Sequence, residues 1–205
     1  MNLKVLIQPA AEPVTLSEVK TYLRVDGTDE DSTIAGLISA AREFIERSTR
    51  RTMIYTVYRL TLDQFPGWED LELPRSPAQE LAASVVPGCA YATPRIRYWD
   101  MDGVQITMVK DDTYELLLDD NPPRIVLPPT ELWPITMAYQ RGAVEVDFVA
   151  GYGEAAGSVP PMLRQAVKIL AAHWYEHREA VGNFGGEVPL SIENIIRLYS
   201  DGGYN

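Results

Sequence analysis

Asp29-Glu-Asp-Ser-Thr-Ile-Ala-Gly-Leu-Ile-Ser-Ala-Ala-Arg-Glu-Phe-Ile-Glu-Arg47 repeats its apolar residues with a helical period. Ile34, Leu37, Ile38, Ala41, Phe44, Ile45 and Ser48 fall on one stripe, so this helix buries one face. Arg42, Glu43, Glu46 and Arg47 are expected mostly off that stripe. The acidic first turn suits the positive end of the helix dipole, and Arg47, Arg50 and Arg51 crowd the other end. Just ahead lies Thr15-Leu-Ser-Glu-Val-Lys-Thr-Tyr-Leu-Arg24, with Thr15 and Glu18 at capping-box spacing. Leu16, Val19, Tyr22 and Leu23 share a face of this shorter helix, and Asp26-Gly27 supplies a turn before the next. Residues 1–14 show no helical or strand period beyond a short apolar stretch at 3–7, and Pro9 and Pro13 keep them extended.

After Arg51 the period changes to two. Strands are expected at 53–63, 70–73, 95–99, 104–109, 114–118, 124–127 and 143–150. Asp102-Gly103 reads as the turn of a hairpin. Prolines at 66, 74, 77, 87, 94, 122, 123, 128, 129 and 134 separate the strands, which favours short strands and exposed edges over one large flat sheet. Residues 76–94 read as an irregular loop. Helical period returns in Pro160-Pro-Met-Leu-Arg-Gln-Ala-Val-Lys-Ile-Leu-Ala-Ala-His-Trp-Tyr-Glu-His-Arg-Glu179, with Leu163, Ala166, Val167, Leu170 and Trp174 as its stripe. Gly182, Gly185 and Gly186 end this region, and Leu190, Ile192, Ile195, Ile196 and Tyr199 mark a short amphipathic helix. Helices that bracket a β segment have to meet to bury their apolar faces. The expected class is therefore α+β: a helical core from the N- and C-terminal helices, with an inserted antiparallel β subdomain. The divisions are 1–52 and 158–199 for the helical core, 53–151 for the β insertion and 200–205 for a tail.

Composition narrows the function classes. The chain has 205 residues, 46% apolar and 23% charged, which suits a soluble globular protein rather than a fibrous or disordered one. No apolar run approaches the ~18 residues of a membrane span. The N-terminal apolar stretch is too short for a signal peptide, so cytoplasmic synthesis is expected. The one cysteine, Cys89, permits neither an internal disulfide nor a cysteine metal cluster. The net charge is −11 and no basic run is present, the reverse of what gripping DNA phosphates demands. Such acidity favours solubility and repels nucleic acid.

Three patterns invite chemistry. His173 and His177 stand at zinc-chelating spacing on one helix face, but Trp174 occupies the place where a zinc protease carries its glutamate. A third ligand would have to be a carboxylate, since the chain has only these two histidines. Gly151, Gly153 and Gly157 follow a strand and precede a helix, as in a phosphate-binding turn, but two prolines replace amide donors at the helix start. A hinge between subdomains fits them better. Asp100-x-Asp102-Gly103 lacks the further oxygen ligands of a calcium loop and reads as a turn.

The wording of the whole chain carries a resemblance. Glu12-Pro-Val-Thr-Leu-Ser-Glu-Val-Lys-Thr-Tyr-Leu-Arg-Val-Asp26, Ala40-Ala-Arg-Glu-Phe-Ile-Glu46 and Arg50-Arg51 open it. Leu73-Pro-Arg-Ser-Pro77, Tyr98-Trp-Asp-Met-Asp-Gly103 and Val146-Asp-Phe-Val-Ala-Gly-Tyr-Gly153 follow, and Val188-Pro-Leu-Ser-Ile-Glu-Asn-Ile-Ile196 closes it. In this order they resemble the head–tail connector (adaptor) proteins of long-tailed bacteriophages and phage-like particles, in particular the longer members with a β insertion. Residues 78–94 are longer than that pattern expects. The resemblance implies a homo-oligomeric ring, expected to be a dodecamer, in the neck of a virion made in the bacterial cytoplasm. It implies docking on the portal protein and on a stopper or tail-completion protein, with double-stranded DNA passing through the lumen without specific binding. It implies no catalysis, no cofactor, no metal and no membrane. The portal contact of the family lies in its C-terminal segment, which assigns that role to Ile192, Ile196, Leu198, Tyr199 and Tyr204. Two alternatives stay open: a metal-dependent enzyme using His173 and His177, and a monomeric protein-binding module. A gene transfer agent is not separable from a true phage at this level.

Overall fold

The computed structural model describes residues 1–137, 140–177 and 189–200. The chain forms two compact units, a β unit of Met1–Pro9 with Tyr55–Gly151 and a helical unit of Ala10–Ile54 with the described residues from Tyr152 onward. The α+β class expected from the period changes is the class observed.

Among the described residues, four α-helices build the helical unit: α1 (Leu16–Leu23), α2 (Asp31–Thr49), α3 (Pro161–Glu176) and α4 (Leu190–Tyr199). The capping box forms as spaced: the Thr15 N–H donates to Glu18 Oε2 at 2.8 Å and the Glu18 N–H to Thr15 Oγ1 at 3.2 Å. That backbone bond, with Arg164 nearby, holds the Glu18 carboxyl below its ordinary pKa. Ile34, Ile38, Ala41 and Ile45 of α2 pack with Leu163, Ala166, Val167 and Leu170 of α3 in one core, and Phe44 meets Trp174 edge to face at 6.0 Å. The stripe on α2 ends on buried Thr49, while Ser48 is exposed. Glu46 departs further from expectation. It is buried, its Oε1 accepting the Met53 N–H at 2.7 Å and its Oε2 accepting Arg42 Nη1 at 3.0 Å.

The β unit centres on β9 (Val144–Ala150), buried along its length except at Glu145. One edge of β9 pairs antiparallel with β2 (Thr56–Leu62) over its full length. Two strands share the other edge, β5 (Arg95–Trp99) and then β4 (Ala78–Gln79). β1 (Asn2–Ile7) lies outside β2, and β6 (Gln105–Thr107) outside β5. β3 (Leu71–Glu72), β8 (Arg124–Val126) and β7 (Glu115–Leu117) make a separate three-stranded sheet. The grouping of residues 1–52 with the helices therefore breaks at the start of the chain, because Met1–Pro9 carry a strand that completes the sheet beside β2. The 76–94 segment is likewise more than a loop. It contributes β4, returns through the Leu81–Thr93 bridge, and sets Val86 and Cys89 over Val57 and Val149. Those two valines sit on the sheet face turned away from the larger core, and the segment supplies the cover they need.

Strand alternation separates two kinds of interior. Val144, Val146, Phe148 and Ala150 point into a core with Tyr58, Leu60 and Ile96. Their neighbours Glu145 and Asp147 point the other way, into an ion network. Arg59 donates from Nε to Asp147 Oδ1 at 2.6 Å and from Nη2 to Oδ2 at 2.9 Å. Arg97 Nη2 reaches Glu145 at 2.6 Å and Asp147 at 3.2 Å.

Two phenols of this unit predict an alkaline limit. Burial first, and the Asp147 charge second, push Tyr91 up to about 12. Burial likewise takes Tyr114 to about 12, while its hydroxyl donates to the Pro94 carbonyl at 3.2 Å. Raised folded-state values mean that the associated stability is complete below the unfolded value of 10.0 and is lost as pH rises towards about 12. Denaturation midpoints of the β unit should fall across that window, in step with phenolate absorbance. A flat midpoint there would show that neither ring needs its buried, neutral state.

Candidate functional site

α4 is the element to which the portal contact is assigned by resemblance. Its i, i+3, i+4 spacing puts Ile192, Ile195, Ile196 and Tyr199 on one face, and that face packs on the core made by α2 and α3. Arg51 secures its end: Nε donates to the Tyr199 carbonyl at 2.8 Å, Nη1 donates to the Tyr152 hydroxyl at 3.3 Å, and the guanidinium lies 5.8 Å from the Tyr199 ring centroid. Burial raises the Tyr152 phenol above its ordinary pKa, with Arg51 opposing the shift. The opposite face carries Leu190, 77% exposed, and Leu198, 47% exposed, with Asn194 between them and Arg197 alongside. These positions are four residues apart and line one side of the helix.

The assigned residues thus divide. Ile192 is fully buried and offers no surface, because the chain's own helices cover that face of α4. Ile196 and Tyr199 are partly buried in the same core. Leu198 is available at the surface, and Leu190, grouped by the sequence with the apolar residues of α4 but not assigned to the portal contact, is more so. Tyr204 lies outside the described residues.

A second surface lies on the β unit. Residues 128–137 run in neither helix nor strand and expose Leu132 and Ile135. Trp133 between them is buried, stacked on Phe65 at 4.7 Å, with its indole N–H donating to the Glu69 carbonyl at 3.0 Å. Trp68, 88% exposed, shares a hollow with Leu132. A sequence signal existed in the apolar run Leu132-Trp-Pro-Ile135, which matches no helical period and alternates with no polar residue.

Residues 13–83 match the family model of the phage gp6-like head-tail connector protein. No curated protein matches the chain. Among solved structures, 98% of the chain superposes on 95% of a chain in the neck of an empty gene transfer agent (GTA) particle solved with C6 symmetry, at TM-score 0.76 and 25% identity. The virion of the native GTA particle gives 0.75 and its neck solved with C12 symmetry 0.74, at the same identity and coverage. These findings support the head-tail connector family.

Against the connector background, the chemical motifs resolve into structure. The His173 and His177 rings lie 4.4 Å apart, and His177 Nδ1 sits 2.9 Å from the His173 carbonyl. Among the described residues no three His, Cys, Asp or Glu side chains gather as a metal site. In the glycine turn, the Gly151 N–H donates to the Pro77 carbonyl at 2.9 Å, and Gly153 bridges to Ile54. A Cβ on Gly153 would stand 2.4 Å from Ser158 Oγ, so this glycine serves close backbone packing. Asp100 Oδ1 accepts the Asp102 and Val104 N–H groups at 2.9 and 2.8 Å, closing the β5–β6 hairpin. Cys89 is buried in the cover of the sheet. No helix among the described residues is long and apolar enough to cross a membrane.

Proposed function

We propose that this chain is a structural connector in the neck of a phage-like particle, a ring that joins head to tail and catalyses nothing. The observation that carries this reading is the near full-length superposition on GTA neck chains, 98% of this chain at TM-score 0.76. The neck solved with C12 symmetry supports ring assembly, and the ring in this reading holds twelve copies. It docks on the portal on one side and on a stopper or tail-completion protein on the other, with double-stranded DNA passing through. A net charge of −11 suits a conduit that DNA passes without being held.

The decisive experiment is the mass of the complex formed with the portal protein of the same particle. About one copy per portal subunit supports the reading, and a chain that stays monomeric and unbound overturns it. Within the reading, the C-terminal segment makes the portal contact. Leu198 meets the portal, Tyr204 lies in the tail, and Ile192, Ile196 and Tyr199 hold α4 in position. Leu198→Glu, or deletion of residues 200–205, should weaken portal binding about tenfold and leave the unfolding midpoint unchanged. Unaltered portal binding by both variants would move the contact elsewhere.

A further inference from the structure

Strand register gives the β unit a face rich in cations. Lys4, Arg59, Asp147 and Arg95 stand opposite one another across β1, β2, β9 and β5. Thr61, Glu145 and Arg97 do the same two residues along. Residues paired in this way share a sheet face, so Lys4, Arg59, Arg95 and Arg97 gather there against only Glu145 and Asp147. Arg59 and Arg97 engage both carboxylates. Lys4 is exposed, and half-buried Arg95 is held 4.7 Å from the Tyr91 ring centroid. Neither forms an ion pair among the described residues. Leu3, Val5 and Ile96 alternate with these cations and pack on the larger core, so the cationic face looks away from it.

The three-stranded sheet closes the other side of the same core, to which it gives Leu71, Ile125 and Leu116. Alternation turns Glu72 and Glu115 outward there, and both are exposed and form no ion pair among the described residues. Arg124, opposite Glu72 on β8, is already taken by Asp70 and Asp120. The core of the β unit thus lies between a cationic face and an acidic one. In the connector reading each copy must lie against another chain of net charge −11. A head-to-tail ring contact joins two different surfaces, so it can set unlike charges together although the chains are identical. Opposed faces of unlike charge on one unit meet that requirement. Duplex DNA would find two unpaired cations on a chain that repels it as a whole, which favours a second copy as the occupant. We infer that the cationic face of one copy, through Lys4 and Arg95, docks on the acidic face of the next, through Glu72 and Glu115. The inference rests on the connector reading and adds to it the surfaces by which neighbouring subunits meet.

The test adds the full chain to the purified portal ring of the same particle and follows, by mass, the copies bound as chain concentration rises. One variant, Lys4→Glu with Arg95→Glu, reverses the cationic face. A second, Glu72→Lys with Glu115→Lys, reverses the acidic face, and a third carries all of these changes. Melting curves check that each folds, and Lys4→Glu alone, at an exposed position, replaces the first variant if the Arg95 change unfolds it. Each variant with one reversed face should need about tenfold more chain to fill the ring. The variant with both faces reversed, which again sets unlike charges together, should fill it as the wild type does. Added salt should weaken filling by the wild type and relieve the variants with one reversed face. Wild-type filling by both single-face variants overturns the contact and leaves the connector reading intact. Loss confined to one of them, or no recovery when both faces are reversed, overturns the pairing of the two faces. Duplex DNA retained by the wild type and released by Lys4→Glu, with ring filling unchanged, assigns the cationic face to phosphate and overturns the proposal. Failure of the wild-type chain to bind the portal overturns the connector reading, and this inference with it.

Discussion

Asp147→Ala is expected to cost the β unit about 3–5 kcal/mol. The carboxylate is fully buried on the central strand, where it accepts two hydrogen bonds from Arg59 and one from Arg97. That bonding, Asp147 first, raises the Arg59 pKa above its ordinary value. Removing the acceptor leaves two guanidiniums, only 27% and 15% exposed, with Glu145 as their remaining carboxylate, and Arg97 Nε already lacks a partner. Burial is what makes the loss large, since an exposed pair is worth about 1 kcal/mol or less. Asp147→Asn keeps the shape and one acceptor, and should cost less. Chemical denaturation followed by tryptophan fluorescence can measure both, because Trp68, Trp99 and Trp133 all lie in the β unit. A loss under about 1 kcal/mol for the alanine variant would show that water or Glu145 replaces the missing acceptor.

Glu46→Ala is expected to cost the helical unit about 3–4 kcal/mol. One carboxylate does two jobs: it satisfies the Met53 N–H just beyond α2 and it partners Arg42. Burial acts to lower the Arg42 pKa, and Glu46 with Glu12 more than offsets it. Without Glu46 a buried amide loses its acceptor and Arg42 keeps only Glu12, at 2.8 Å. Glu46→Gln retains an acceptor for Met53 and removes the charge, so the difference between the two variants separates the hydrogen bond from the ion pair. Trp174 is the tryptophan of the helical unit and reports this transition. Equal losses for alanine and glutamine would assign the whole effect to the charge.

Features set by a few neighbouring residues were legible before the structure. The Thr15–Glu18 capping box and the Asp100–Gly103 turn are each closed within four residues, and both form where their spacing places them. The apolar stripes of α2 and α3 were legible because helical period repeats over many residues. Glu46 was misread because periodicity gives an angle around an axis and says nothing of what lies there. Its partner Met53 reaches it from beyond the helix. β4, two residues long in a proline-rich stretch, has no pattern of its own, and only the free edge of β9 makes it a strand.

The same boundary runs through the candidate sites. Sequence alone determined that α4 has one strongly apolar face, since that follows from the spacing of Ile192, Ile195, Ile196 and Tyr199. Only the tertiary structure decided that this face is covered by the chain's own core, which leaves Leu190 and Leu198 as the surface. Likewise the run from Leu132 to Ile135 is visibly apolar, but only the tertiary structure buries Trp133 on Phe65 and leaves Leu132 and Ile135 exposed. Local bonding and periodicity are written within a few turns of chain, whereas burial depends on which distant segment arrives to exclude water.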